Sequence, residues 1–214
     1  MFTACLEADN AKETLEALAK DPKVKGIRQI LMHHPDKDGP SAPRNSEDFL
    51  DNEAWRAGFK LLKDVDFSFD ALLNPHQYAK AAELVKGQPE TTVIINHIGA
   101  PQLADLEDPE KAKVYWDGME KLAECKNTIM KLSGLGERYP KFDENKHIVA
   151  ALHRIIKLFG VDRCIFASNF PVDLEQGWTA DKLFAAFEKL TEQYSDEDRR
   201  KLFSLTAKKA YRVD

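Results

Sequence analysis

Six short apolar runs, each followed by a segment with helical spacing, constrain this 214-residue chain more than any other feature. The runs are Phe2–Leu6, Gly26–Met32, Phe67–Leu73, Thr92–Ile98, Thr128–Leu132 and Cys164–Ala167. They have strand length and little polar alternation, as in strands buried on both faces. Trp55, Phe59 and Leu62 recur at helical spacing, and so do apolar positions over Tyr78–Val85 and Ala112–Leu122. Ile148, Val149, Leu152, Ile155, Ile156 and Phe159 form a broad stripe that Gly160 is expected to stop. Leu183, Phe184, Phe187 and Leu190 form another, and Ser195-Asp196-Glu197-Asp198 reads as the cap of a last helix carrying Leu202, Phe203 and Tyr211. Strands alternating with helices imply parallel strands joined by crossovers. The expected class is α/β, in one domain over residues 1–214, as an open doubly wound sheet or a closed barrel.

Several functions are disfavoured early. The first strand–helix junction, Glu7-Ala8-Asp9-Asn10-Ala11-Lys12, has no glycine, and no G-x-x-x-x-G-K-[ST] occurs, which argues against nucleotide binding through those motifs. A net charge of −5 without a Lys/Arg-rich run argues against nucleic acid. No apolar stretch is long enough to span a bilayer, and the first residues do not read as a signal peptide. Three widely spaced cysteines, Cys5, Cys125 and Cys164, suit neither a disulfide framework nor a zinc cluster, so a cytoplasmic setting is expected. Cys5 and Cys164, in strand-like runs, are expected to be buried as small apolar residues.

Polar residues recur where the runs end: Glu7 with Asp9, His33 with His34, Asn74 with His76 and Gln77, Asn96 with His97, Lys131 with Ser133, and Ser168 with Asn169. In an α/β barrel those ends meet at one mouth, where chemistry is done. A histidine there serves as ligand, acid or base near neutral pH; the plain alternative for His97 is a core histidine bonded to backbone. The irregular stretch His34 to Asp48 follows a strand and is long enough to help form a site. His147 and His153 fall in a helical segment and read as surface residues. Trp55, Phe59, Trp116 and Phe187 read as helix packing.

These strand ends resemble the amidohydrolase-related (amidohydrolase 2) family, which contains sugar-lactone hydrolases and dicarboxy-pyrone lactone hydrolases. Gly26-Ile27-Arg28-Gln29-Ile30-Leu31 is similar to its "GIRQIL" strand. Phe69-Asp70-Ala71-Leu72-Leu73 with Pro75-His76-Gln77 resembles the next strand and loop. Asn96-His97-Ile98-Gly99-Ala100-Pro101 resembles "DHxGxP", Lys131-Leu132-Ser133-Gly134-Leu135 "CKLSGL", and Phe166-Ala167-Ser168-Asn169-Phe170-Pro171-Val172 "FGSDWPV". The pieces lie in family order over essentially the whole chain. The resemblance implies a TIM-like (β/α)8 barrel of the metal-dependent hydrolase type. It would be incomplete here, with about six βα units and the first two missing, roughly a quarter of a barrel.

The implied activity is hydrolysis of a sugar-acid lactone or similar small cyclic ester. The implied catalytic residues are His97, polarising the carbonyl or activating water; Arg28, holding an anionic oxygen; and Asn169, placing water or substrate. His34, Asp70, Gln77 and Lys131 are the substrate-contact candidates. Each has a structural alternative: Arg28 paired with Glu7 or Asp70, Asp70 in a structural hydrogen bond, Asn169 capping the turn before Pro171. The family's H-x-H pair is absent, and Asn169 stands where Asp is common. Both disfavour a divalent metal such as zinc, so no metal ligand is assigned. The partner expected is a small-molecule substrate, and two open sheet edges would favour self-association into a homo-oligomer. The alternatives are a metal-dependent decarboxylase or amidohydrolase on the same barrel, or a catalytically inactive truncated barrel.

Overall fold

Each apolar run becomes a strand, five of them shorter than the run and Thr128–Leu132 unchanged, in the computed structural model, which describes residues 2–34 and 45–213. The strands are β1 (Phe2–Thr3), β2 (Gly26–Ile30), β3 (Ser68–Leu72), β4 (Val93–Ile95), β5 (Thr128–Leu132) and β6 (Cys164–Phe166). The helices between them are α1 (Ala11–Leu18), α2 (Glu53–Lys60), α3 (Tyr78–Lys86), α4 (Ala104–Glu107), α5 (Pro109–Glu124), α6 (Leu135–Arg138) and α7 (Lys146–Phe159). After β6 come α8 (Val172–Glu175), α9 (Ala180–Leu190), α10 (Asp196–Arg200), a π-helical turn Lys201–Leu205 and α11 (Thr206–Tyr211). Every strand pairs in parallel with its sequence neighbour, giving the order β1-β2-β3-β4-β5-β6. That is barrel order; a doubly wound sheet would reverse direction partway along. Among the described residues β1 and β6 are the edges.

Register explains why the runs are apolar throughout. Ile27, Phe69, Val93 and Thr128 lie side by side, and so do Arg28, Asp70, Ile94 and Ile129. Neighbouring rows face opposite sides. The Ile27 row packs beneath the helices with Trp55, Phe59, Tyr78, Tyr115 and Phe187. On the inner side Ile94 and Ile165 meet Ala210, with Ile129, Ala207 and Tyr211 against them. Nearer the carboxyl ends, Met32, Leu72 and Ala100 form a second inner cluster. The terminal segment covers the amino ends of the strands: Arg212 Nη2 donates to the Lys25 carbonyl and, at 2.6 Å, to that of Asp66.

Helix ends follow the sequence signals. Asn145 Oδ1 accepts from the His147 and Ile148 amides, and Ser195 Oγ accepts from the Asp198 amide, caps worth about 1 kcal/mol each. Gly160 ends α7 at φ +83°, a conformation that favours glycine. Trp55, Phe59 and Phe187 are buried as expected, whereas Trp116 is half-buried under the Arg154 guanidinium, 3.9 Å from its ring.

One expectation is corrected. Cys164 is buried, but Cys5 is exposed. β1 is an edge strand that stops at Thr3; Ala4 and Leu6 turn into the core, and Cys5 shares the open side with Thr3. Of the predicted site loop His34–Asp48, positions 35–44 lie outside the described residues. The following Asn45 is anchored, its Nδ2 donating to the Ile30 and Met32 carbonyls at 2.8 and 3.1 Å. No helix among the described residues is long and apolar enough to cross a membrane.

Candidate active site

The run Thr92–Ile98 predicts a strand through Ile98, but β4 stops at Ile95. His97, Ile98, Gly99 and Ala100 follow with φ of +57°, +51°, +79° and +57°. Three of these are not glycine, and each such residue costs about 1–2 kcal/mol in this region. Side chains from other elements hold the turn. Tyr115 OH donates to the Ile98 carbonyl at 2.8 Å and Tyr78 OH to that of Gly99. Arg138 Nη2 donates to Ala100 O at 3.0 Å and Tyr139 OH to Pro101 O at 2.5 Å. Four successive carbonyls are thus taken by α3, α5, α6 and the residue after α6. Burial pushes the Tyr78 and Tyr115 hydroxyls well above the usual phenol range and Tyr139 to about 12, so all three remain donors.

This turn places the His97 imidazole against β5. The side chain is buried, with Nδ1 2.9 Å from Ser133 Oγ. Gly134 is at φ +65°, and a Cβ there would fall 2.7 Å from His97 Nδ1, so only glycine lets the ring approach. Burial first, then the charges of Arg28, Lys131 and Arg138, push the His97 pKa down to about 3. At neutral pH the ring is uncharged inside a cationic shell.

Arg28, Asp70 and Lys131 lie within β2, β3 and β5, on the inner side of the sheet. With Thr3, Ala167 and Tyr211 they line a cavity of about 710 Å³. Fully buried Asp70 accepts from Lys131 Nζ at 2.6 Å and from Tyr211 OH at 3.0 Å. Neither structural partner considered for Arg28 is taken up: Lys131 occupies Asp70, and Glu7 accepts from Gln29 Nε2 at 2.8 Å. Arg28 Nε is buried without a hydrogen-bond partner among the described residues.

Asn169 follows β6, so it stands at the same carboxyl end of the parallel sheet as His97. Its amide N–H donates to Asp173 Oδ2 at 2.7 Å, and its Nδ2 donates to Glu137 Oε2 at 2.8 Å. Asp173 Oδ1 accepts from the Glu137 amide at 3.0 Å. His97 and Asn169 are not among the walls of the Arg28 cavity. His34 lies farther out, in a cleft of about 540 Å³ with Asn74, His76, Gln102 and Asp105. Gln77 sits behind the loops with its hydrogen-bonding capacity used: Oε1 accepts from the His33 and Asn74 amides, and Nε2 donates to Leu31 O and Asp48 Oδ1.

Sequence reasoning missed Glu137, Arg138 and the three tyrosines. A buried tyrosine on an apolar helix stripe does advertise a hydroxyl in need of an acceptor, though not which one.

The donor set around His97 does not fit a divalent cation, since its neighbours are a hydroxyl and three cationic side chains. Among the described residues no three His, Cys, Asp or Glu side chains are grouped to hold a metal ion.

Comparison with known proteins adds the family. The amidohydrolase family model matches residues 1–213. A Sinorhizobium fredii protein named y4mH, of uncharacterized function, is 33% identical over 189 residues, 88% of this chain and 61% of its own. An L-fucono-1,5-lactonase of Burkholderia ambifaria is 25% identical over 98% of this chain and 68% of its own. A crystal structure of a Burkholderia multivorans amidohydrolase with bound zinc superimposes over all of this chain and 73% of that one, with TM-score 0.81 at 22% identity. The chain therefore spans about three fifths to two thirds of the length of these two curated relatives.

Proposed function

Because the chain belongs to the amidohydrolase family, we propose that it hydrolyses a sugar-acid lactone or a similar small cyclic ester. One observation carries the reading: an uncharged, buried imidazole backed by Ser133 and surrounded by the charges of Arg28, Lys131 and Arg138. Opening a lactone places negative charge on the carbonyl oxygen and leaves a carboxylate. A preorganised cationic shell stabilises both more than it stabilises the neutral ester. The curated relatives include L-fucono-1,5-lactonases and an L-rhamnono-gamma-lactonase, which supports a sugar-acid substrate.

In this reading His97 acts without changing charge. In the tautomer in which the Ser133 hydroxyl donates to Nδ1, the ring proton is on Nε2, from which it would donate to the carbonyl oxygen and polarise it. Arg28, whose Nε has no hydrogen-bond partner among the described residues, holds the developing oxyanion or the carboxylate, and Lys131 adds charge from deeper in the strand layer. Asn169 places water or a substrate hydroxyl, and His34 contacts the substrate from the outer cleft. Asp70 and Gln77 serve architecture, one neutralising Lys131 and the other tying the β2 and β3 loops together.

The test is turnover of a panel of aldonolactones by the wild-type chain and by His97→Ala. Wild-type turnover with a fall of about 10²–10³-fold in kcat for the variant is expected, the cost of losing one oxyanion donor. Equal rates would remove His97 from the mechanism, and absence of wild-type turnover across the panel would overturn the lactone reading.

A further inference from the structure

Lactone hydrolysis needs a base to take a proton from water, and the residues considered so far do not supply one. Asn169 is an amide. His97 stays uncharged far below neutral pH, so it is a poor proton acceptor. Asp70 is occupied by Lys131 and Tyr211. Asp173 is fully buried with each oxygen on a backbone N–H. Glu7 bonds Gln29, whose carbonyl oxygen in turn accepts from Trp55 Nε1, so it belongs to the helix side of the sheet.

We propose that Glu137, held by Asn169 at the carboxyl end of β5 and β6, is the general base; this rests on the lactone reading above. Its position follows from short steps along the chain. Gly134, against which the His97 ring packs, caps α6, and Glu137 is the third residue of that helix. Asp173 fixes it by accepting from the Glu137 and Asn169 amides together, which brings the β5 and β6 loops side by side. Asn169 Nδ2 then binds one carboxylate oxygen, Oε2, and Oε1, without a partner among the described residues, is open to water. Glu137 is half-buried, so water reaches it. Asp173 from α8 accepts from its amide, and Arg138 follows it on its own helix.

The step balances. Glu137 takes a proton as the water oxygen bonds to the lactone carbonyl carbon, and the C=O electron pair moves onto oxygen. When that pair returns, the bond to the ring oxygen breaks, and the ring oxygen takes the proton from Glu137. A hydroxy acid results, its carboxyl proton passes to solvent, and Glu137 is again a carboxylate. Asn169 is here a positioning residue, which accounts for an amide where the related motif often has Asp.

The experiment compares the wild-type chain with Glu137→Gln and Glu137→Asp on the aldonolactone that the wild type turns over best. Gln keeps an oxygen for Asn169 Nδ2, so the fold is retained, as circular dichroism and melting would verify. Glu137→Gln should lose about 10²–10⁴-fold in kcat with little change in KM, and the acidic limb of its kcat/KM profile should vanish. Glu137→Asp should recover part of the rate and keep that limb. A Glu137→Gln variant with wild-type kcat, or with an unchanged acidic limb, overturns the assignment while leaving the lactone reading intact. A wild type inactive on every lactone removes the lactone reading and this assignment with it.

Discussion

At position 97 an imidazole is tolerated only while it is neutral. An unfolded histidine titrates near 6.5, and in the fold this one titrates at about 3. The unfolded chain therefore binds the proton more readily, and folding loses stability as pH falls below about 6.5, levelling off below about 3. Between pH 7 and pH 4 this group alone should remove about 3 kcal/mol, at 1.4 kcal/mol per unit. Urea denaturation at the two pH values should show a smaller acid loss in His97→Asn, which has nothing to titrate. An equal loss in both proteins would mean the imidazole is not the group that resists protonation. Gly134 is the complementary case. Ala there meets both a left-handed backbone and the His97 ring, so Gly134→Ala should cost about 2–4 kcal/mol and lower lactone turnover with it.

The β4 strand and the turn after it show how an element can be legible in part. Val93, Ile94 and Ile95 announce a strand buried on both faces, and the polar pair Asn96-His97 announces where its chemistry begins. Nothing local in the sequence says that pairing stops at Ile95 or that His97 through Ala100 turn left-handed, because the compensation comes from Tyr78, Tyr115, Arg138 and Tyr139 on other elements. Tyr115→Phe keeps the ring and removes only the donor to Ile98 O. It should cost about 1–3 kcal/mol, the price of a buried carbonyl left unpaired, and hydrogen exchange should quicken at the amides of Gly99 and Ala100. Unchanged stability and exchange would show that the backbone holds this turn unaided. The same limit applies to Asn169 and Glu137: each lies just past a strand, but their contact depends on Asp173 and on how two loops cross.

Across the whole molecule, the inner ion pair joins segments that are remote in sequence. Asp70 on β3 meets Lys131 from β5 and Tyr211 from the terminal helix, 61 and 141 residues away. The strand runs foretold that three polar residues, Arg28, Asp70 and Lys131, would need partners inside an apolar layer; they did not foretell that Lys131 rather than Arg28 would take Asp70. That choice leaves Arg28, within the His97 shell, with an unsatisfied Nε among the described residues, and it makes the pair a fastener between sheet and terminal helix. Removing one partner strands a buried charge, so Lys131→Met should destabilise the chain by about 3–5 kcal/mol. Adding Asp70→Asn should recover most of that loss, because the double variant buries no unpaired charge. Denaturant unfolding of the two single variants and the double closes the cycle. If the losses simply added, the contact between Lys131 and Asp70 would contribute nothing of its own, and Tyr211 would be the partner that keeps Asp70 buried.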